Sequence, residues 1–233
     1  MADAESIQVE LKVMIGADQV DLACKLFGLA DAPAKRSDVT FYDTPTFELS
    51  EAGLILRSRK VNDGGDDATV KMRPLARSAV AANWFELAGF KCEEDRTGSK
   101  SVESCSITVK RSGRDIEDVT RGKRPIESLF SERQREFAST YSSVAPDWTR
   151  VVVIGPIATK EWKFGLPELQ VQLTAEMWTL PGERLLEIST KVPRREADSS
   201  ADALDAALSS RGLQKSSTAT TKTRAALESL LVR

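Results

Sequence analysis

The stretch Ser6–Val13 alternates strictly. Ile7, Val9, Leu11 and Val13 point one way and Gln8, Glu10 and Lys12 the other, which is the period of a β-strand. The pattern returns along the chain with mostly cationic polar faces. Ile55, Arg57, Arg59 and Val61 share a face in a strand over 54–61, and Thr69, Lys71 and Arg73 share one over 68–73. Between them Asn62-Asp63-Gly64-Gly65-Asp66 is a hairpin signal. Late in the chain Glu187, Ser189 and Lys191 fall on one face of a strand over 185–192. One such strand is an ordinary surface strand with a wet face. A set of them, with cationic rows and a few carboxylates, predicts a barrel with a charged lumen. Such a lumen suits a polyanion together with a divalent metal.

The remaining elements follow the same logic. A helix is expected after Gly16-Ala17-Asp18, with Val20, Ala23, Cys24 and Phe27 at helical spacing and Gly28 as its stop. Val39–Asp43 reads as a short strand, 47–52 as a single helical turn, and Trp84–Ala88 as a strand. Ser131 is the expected N-cap of a helix. Strands are expected over 151–154 and 157–164, the latter with Thr159, Glu161 and Lys163 on one face. In the next strand Leu169, Val171 and Leu173 oppose Gln170, Gln172, Thr174, Glu176 and Trp178. Helices over 201–211 and 221–231 close the chain. Polar residues dominate 93–104, and Lys110, Arg111, Arg114, Arg121, Lys123 and Arg124 form a basic cluster that reads as solvated surface, with partner or nucleic-acid contact as the alternative. No repeat of fixed period occurs, and the whole, 1–233, reads as one α+β domain.

Composition narrows the chemistry. The 233 residues carry a net charge of −2, which argues against broad nucleic-acid coating, so an anion site must be a local concentration of Lys and Arg. No run approaches a membrane span, and the acidic start Met1–Glu5 has no apolar signal core. Cys24, Cys92 and Cys105 are widely spaced and are expected as reduced thiols of a cytoplasmic protein. Histidine is absent, which removes Ser-His-Asp and Cys-His catalysis and every His-ligated metal. An oxygen-held metal favours Mg²⁺ or Mn²⁺.

Six segments, in order, resemble the CYTH family, the triphosphate tunnel metalloenzymes. Gln8-Val9-Glu10-Leu11-Lys12 is similar to that family's opening Glu-x-Glu-x-Lys strand. Phe41–Pro45 followed by Gly53–Arg59 resembles its Tyr-Asp-Thr segment and Leu-Arg-x-Arg strand, and Thr69–Pro74 its Lys-x-Lys/Arg strand. Glu187–Lys191 resembles the strand that ends the barrel, and Thr221–Leu227 the start of the C-terminal helix. The resemblance runs from about Ser6 to Leu230 and is thinnest over 93–145. It implies an eight-stranded antiparallel β-barrel with helices packed outside, binding triphosphate with Mg²⁺ or Mn²⁺. The implied triphosphate-binding residues are Lys12, Arg57, Arg59, Lys71, Arg73, Lys163, Lys191, Lys222 and Arg224. The implied metal ligands are Glu10, Glu176, Glu187 and Gln8, with Glu10 and Lys12 also catalytic. Gln8 and Ser189 stand where related chains carry carboxylates, and Glu161 where they carry a cation. Glu86 and Glu161 are further carboxylates expected on inner faces. Trp84, Trp162 and Trp178 are expected in core or rim packing. Three functions stay open: a metal-dependent triphosphatase, an adenylate cyclase on the same phosphate clamp, and a module that binds polyphosphate or nucleotide without turnover. Oligomeric state and the particular triphosphate are beyond the sequence.

Overall fold

The alternating segments pair into one sheet in a computed structural model that describes residues 8–216 and 222–231. Its strands are β1 (Gln8–Met14), β2 (Lys35–Asp43), β3 (Leu54–Val61), β4 (Asp67–Met72), β5 (Phe90–Thr97), β6 (Lys100–Lys110), β7 (Val152–Phe164), β8 (Leu173–Leu180) and β9 (Glu183–Pro193). They close into a barrel in the order β1-β5-β6-β4-β3-β2-β7-β8-β9. The α+β barrel with helical cover is as expected. The strand count and the all-antiparallel pattern are corrected: nine strands are described, and β5 runs parallel to β1, with Glu10 paired to Asp95. The extra strand comes from the polar stretch that carries no alternation of polarity. Ser6, Ile7 and Thr221, expected at the starts of the first strand and the last helix, lie outside the described residues.

The chain divides into two compact units, each with its own apolar core. The second unit takes in Ser37–Cys92 and Val102–Ala158. One face of β2, β3, β4 and β6 supplies Tyr42, Leu54, Leu56, Ala68, Val70, Met72 and Ile107 to its core. These meet α3 (Gly113–Thr120) through Ile116 and Val119, and α4 (Glu132–Tyr141) through Phe137 and Ala138. Helix α4 starts where the N-cap residue dictates. Ser131 and Gln134 form a reciprocal capping box, and the buried Gln134 amide also donates to the Ala68 and Ile107 carbonyls at 2.8 and 3.0 Å. The basic cluster is largely α3 and its flanks, where Arg114, Lys123 and Arg124 pair with Asp118 and Asp115 at the surface. Trp84–Ala88 is not a strand. A 3-10 helix spans Ala82–Glu86, because Trp84 turns into a cluster with Phe90, Phe137 and Tyr141. That leaves Glu86 exposed rather than on an inner sheet face. The reduced-thiol expectation is likewise corrected at two of three positions. Cys92 and Cys105 sit on neighbouring strands β5 and β6 and form a disulfide, while Cys24 is free.

The first unit takes in the described residues up to Arg36, Glu93–Ser101 and Thr159–Ala226. Val13 of β1, Leu173, Ala175 and Met177 of β8, and Leu186 and Ile188 of β9 face one core. That core is closed by Val20 and Ala23 of α1 (Val20–Leu26) and by Leu204, Ala207 and Leu208 of α5 (Ala197–Ser209). Trp162 belongs to this core and donates its indole N–H to the Ala32 carbonyl at 3.2 Å. The opposite face of β1, β8 and β9 is left for charged side chains. No helix among the described residues is long and apolar enough to cross a membrane.

Candidate functional site

In the second unit, pairing of β3 with β4 places Arg57 opposite Thr69, Ile55 opposite Lys71 and Arg59 opposite Asp67. The face that is not in the core therefore carries Arg57, Arg59 and Lys71 together, as the period-two pattern requires. Arg59 is already engaged: its Nε and Nη2 donate to the Asp67 Oδ2 at 3.0 and 2.8 Å. Asp67 is 4% exposed, and its other oxygen accepts from the Thr69 hydroxyl at 3.3 Å. Arg73 follows β4, and its backbone N–H donates to the Gly53 carbonyl at 2.9 Å. Gly53 has φ +82°, and a Cβ there would lie 2.3 Å from the Arg73 carbonyl oxygen, so only glycine permits this close approach. The Tyr42-Asp43-Thr44 segment is structural. The Tyr42 hydroxyl bonds the Ser58 hydroxyl at 2.8 Å, and the Asp43 carboxylate accepts from the Thr44, Leu49 and Ser50 N–H groups at 2.7 to 3.0 Å. These bonds hold the first turn of α2 (Glu48–Glu51).

The first unit is built differently. Lys12 on β1 extends its ammonium between two carboxylates, 3.1 Å from Glu10 and 2.9 Å from Asp95 on the parallel strand β5. Asp95 has a fully buried side chain. Burial opposes the Lys12 charge, but Glu187, Glu10 and Asp95 outweigh it and raise its pKa above the usual lysine value. Lys12 is thus an ammonium at neutral pH and cannot serve as a base. Across β8 and β9, Glu176 is paired in register with Glu187. Like charges directly opposite repel, and a cation lies between them. The Lys222 ammonium, at the start of α6 (Lys222–Leu231), bonds Glu176 and, at 3.0 Å, Glu187. Burial again opposes the charge, and Glu187 and Glu176 overcome it and raise the Lys222 pKa. Trp178 completes the group: its indole N–H donates to Glu176 Oε1 at 2.9 Å, and its ring lies 4.8 Å from the Lys222 nitrogen. Lys191 on β9 bonds Glu93 on β5 at 2.6 Å.

The structure thus brings together Lys12, Glu10, Glu176, Glu187 and Lys222 in one unit and Arg57, Arg59 and Lys71 in the other. Lys163 and Arg224 are exposed, and Lys191 is half exposed on its pair with Glu93. Ser189 is buried opposite Lys12. Gln8 is not brought to Glu187: it pairs with Pro193, whereas Glu187 pairs with Met14, six residues further along β1 and roughly 20 Å away at strand rise. Asp95, Glu93 and Asp67 are ion-pair partners of Lys12, Lys191 and Arg59 that the sequence does not single out. The signal for Asp67 is its turn-distance from Arg59. Asp95 offers none, because the residues beside it are equally polar.

No three Cys, Asp or Glu side chains among the described residues are gathered to hold a metal ion. Mg²⁺, however, takes one or two carboxylates and completes its shell with water and substrate phosphates. Glu176 and Glu187 supply two such carboxylates, both bonded to the Lys222 ammonium. Around Lys12 and Lys222, Glu10, Asp95, Glu176 and Glu187 supply carboxylate oxygens. The donor set fits a hard divalent ion.

No sequence-family model matches the chain, and no curated protein matches it in sequence. Solved structures do match its fold. A candidate adenylyl cyclase from Hippeastrum, described as having a dominant triphosphatase activity, superposes with a TM-score of 0.62 at 16% identity, covering 92% of each chain. A candidate adenylate cyclase from Bacillus halodurans gives 0.63 at 12% identity, covering 94% of this chain and 96% of that one. The chain therefore has the closed barrel fold that its resemblance to the CYTH family implies.

Proposed function

We propose that the protein is a metal-dependent hydrolase of inorganic or organic triphosphates. The observation that carries this reading is the paired carboxylates Glu176 and Glu187 gathered on a cation beside Lys12, on the strand faces turned away from the apolar core. Two solved proteins of the same fold, described as adenylyl cyclase or triphosphatase, support it. Phosphoryl transfer asks for charge neutralisation and alignment more than for a covalent nucleophile. A bound Mg²⁺ or Mn²⁺ would supply Lewis acidity toward phosphate oxygens. Glu176 and Glu187 are the residues that would hold it.

The other roles follow from charge and reach. Glu10 is the carboxylate assigned to the attacking water. Lys12, an ammonium fixed by Glu10 and Asp95, keeps one N–H for a phosphate or leaving oxygen. The remaining triphosphate-directed cations are Lys163, Lys191, Lys222 and Arg224 in the first unit and Arg57, Arg59, Lys71 and Arg73 in the second. Arginine forks grip phosphate oxygens in pairs, and lysines add point charges.

The test is incubation with tripolyphosphate and ATP, with and without Mg²⁺ or Mn²⁺, reading phosphate, pyrophosphate and cyclic nucleotide. Metal-dependent phosphate release supports the hydrolase. Cyclic nucleotide with pyrophosphate assigns the site to a cyclase, and tight binding with no product assigns it to a binding module.

A further inference from the structure

Beside the cations of the second unit runs a strand that adds hydroxyls to the same face. The β4–β6 register sets Thr69 against Thr108 and Lys71 against Ser106, and the Thr69 and Thr108 hydroxyls meet at 2.9 Å. Cys105 and Ile107 of β6 belong to the apolar core on the other side. Period two therefore puts Ser104, Ser106 and Thr108 on the face that carries Arg57, Arg59 and Lys71. Three successive positions of β6 on this face are thus hydroxyls. Two of them are buried, Ser104 at 2% exposed and Ser106 at 4%. The Ser104 hydroxyl has no hydrogen-bond partner among the described residues. Leaving a buried hydroxyl unpaired costs free energy that alanine at the same position would avoid.

We infer that Ser104 and Ser106 are neutral hydrogen-bond donors to the phosphate oxygens that Arg57 and Lys71 attract. The inference rests on the functional reading above and names two further residues of its triphosphate site. An ammonium or guanidinium draws any anion, whereas a hydroxyl donates one directed bond and adds no charge. The hydroxyls thus make the face selective for oxygens placed along a chain, at a charge the two cations already balance. Ser106 serves the oxygen nearest Lys71, its partner in the register. Ser104, two residues along and roughly 7 Å away at strand rise, serves a further one. Thr108 is outside the pair, since its hydroxyl is engaged by Thr69. An unpaired hydroxyl has no protein bond to give up when the anion arrives, so the bond it forms then counts toward affinity.

The experiment pairs affinity with stability. Metal-free tripolyphosphate is titrated calorimetrically into wild type, Ser104→Ala, Ser106→Ala and Ser106→Thr, and each unliganded protein is unfolded in denaturant. Each alanine variant should bind about tenfold more weakly, the loss of one hydrogen bond to a charged group. Ser106→Thr keeps a hydroxyl and should recover most of the affinity. Unliganded Ser104→Ala should be at least as stable as wild type, because alanine removes an unpaired buried hydroxyl. A serine kept for the fold gives the opposite pair of results. Lower stability of unliganded Ser104→Ala, or affinity unchanged in both alanine variants, therefore overturns the inference. Wild type that binds no tripolyphosphate overturns the hydrolase reading as well. Binding by wild type that both alanine variants retain overturns the inference alone and leaves that reading standing.

Discussion

The two units present opposite charge on the faces their cores leave free. In the second, Arg57, Arg59 and Lys71 are brought together by strand register, and one carboxylate, Asp67, answers Arg59. In the first, Glu10, Asp95, Glu176 and Glu187 outnumber Lys12 and Lys222. The same alternation rule builds both faces, so the difference lies in what each is ready to bind. The face of the second unit is mainly cationic, and that of the first carries more carboxylates than ammoniums. Each face also holds an internal ion pair: a carboxylate on an arginine fork in one, an ammonium on a carboxylate pair in the other.

The largest expected effect separates the units by stability. Lys12→Met removes the ammonium that the buried Asp95 and Glu10 share and should cost about 3–5 kcal/mol. Arg59→Met leaves Asp67 with the Thr69 hydroxyl and should cost about 1–3 kcal/mol. Denaturant unfolding of both variants checks the order, and an equal or greater loss for Arg59→Met would break the contrast.

The difference in legibility between the units has a physical cause. Strands β3 and β4 can be read because each has one apolar and one charged face and a glycine turn joins them. Strand β5 cannot, because ion pairs occupy both its faces. Glu93 and Asp95 meet Lys191 and Lys12 on one side, and Glu94 and Arg96 meet Arg194 and Asp198 on the other. Its alternation is one of partners rather than of polarity. Helix α3 hides for a similar reason, with only Ile116 and Val119 buried in an otherwise charged run. Trp84–Ala88 misleads in the other direction, since its apolar content serves an aromatic cluster rather than a sheet. The charged faces are accordingly legible at Lys12, Glu176 and Glu187 in the first unit and at Arg57 and Arg59 in the second. They are not legible at Asp95, nor in the use of Lys222 as a counter-ion.

Ligand affinity sharpens the comparison at a smaller scale. Asp67→Asn releases the Arg59 fork and should tighten metal-free tripolyphosphate by about tenfold, the value of one charge-assisted bond of about 1.5 kcal/mol. Calorimetric titration reads it, and a weakened interaction would mean that Asp67 positions Arg59 rather than competing for it.

The pH dependence should be smaller still near neutrality. Lys12 and Lys222 both have folded pKa values above the ordinary lysine value of about 10.4. A raised pKa gives stability that is complete below the unfolded value and is lost as pH rises through the folded one. Melting temperature should therefore show no loss from these ammoniums between about pH 6 and 9, with decline confined to the alkaline side of about pH 10.4. A step between pH 7 and 9 that disappears in Lys12→Met would contradict the assignment.

The smallest effect is expected at Gln8. It is exposed and opposite Pro193 rather than near Glu187, so Gln8→Glu should leave Mn²⁺ affinity within about twofold of wild type. A gain of tenfold would place the ion at the Glu10 end of β1 instead.

The carboxylate pair of the first unit is proposed to serve a metal-dependent triphosphatase. Phosphate release from tripolyphosphate by wild type and Glu187→Gln, each with and without Mg²⁺ or Mn²⁺, tests it most directly. Release by wild type is expected only with metal, with near-complete loss in Glu187→Gln while tripolyphosphate binding persists. Full turnover by Glu187→Gln, or turnover by wild type in the presence of a chelator, would contradict it.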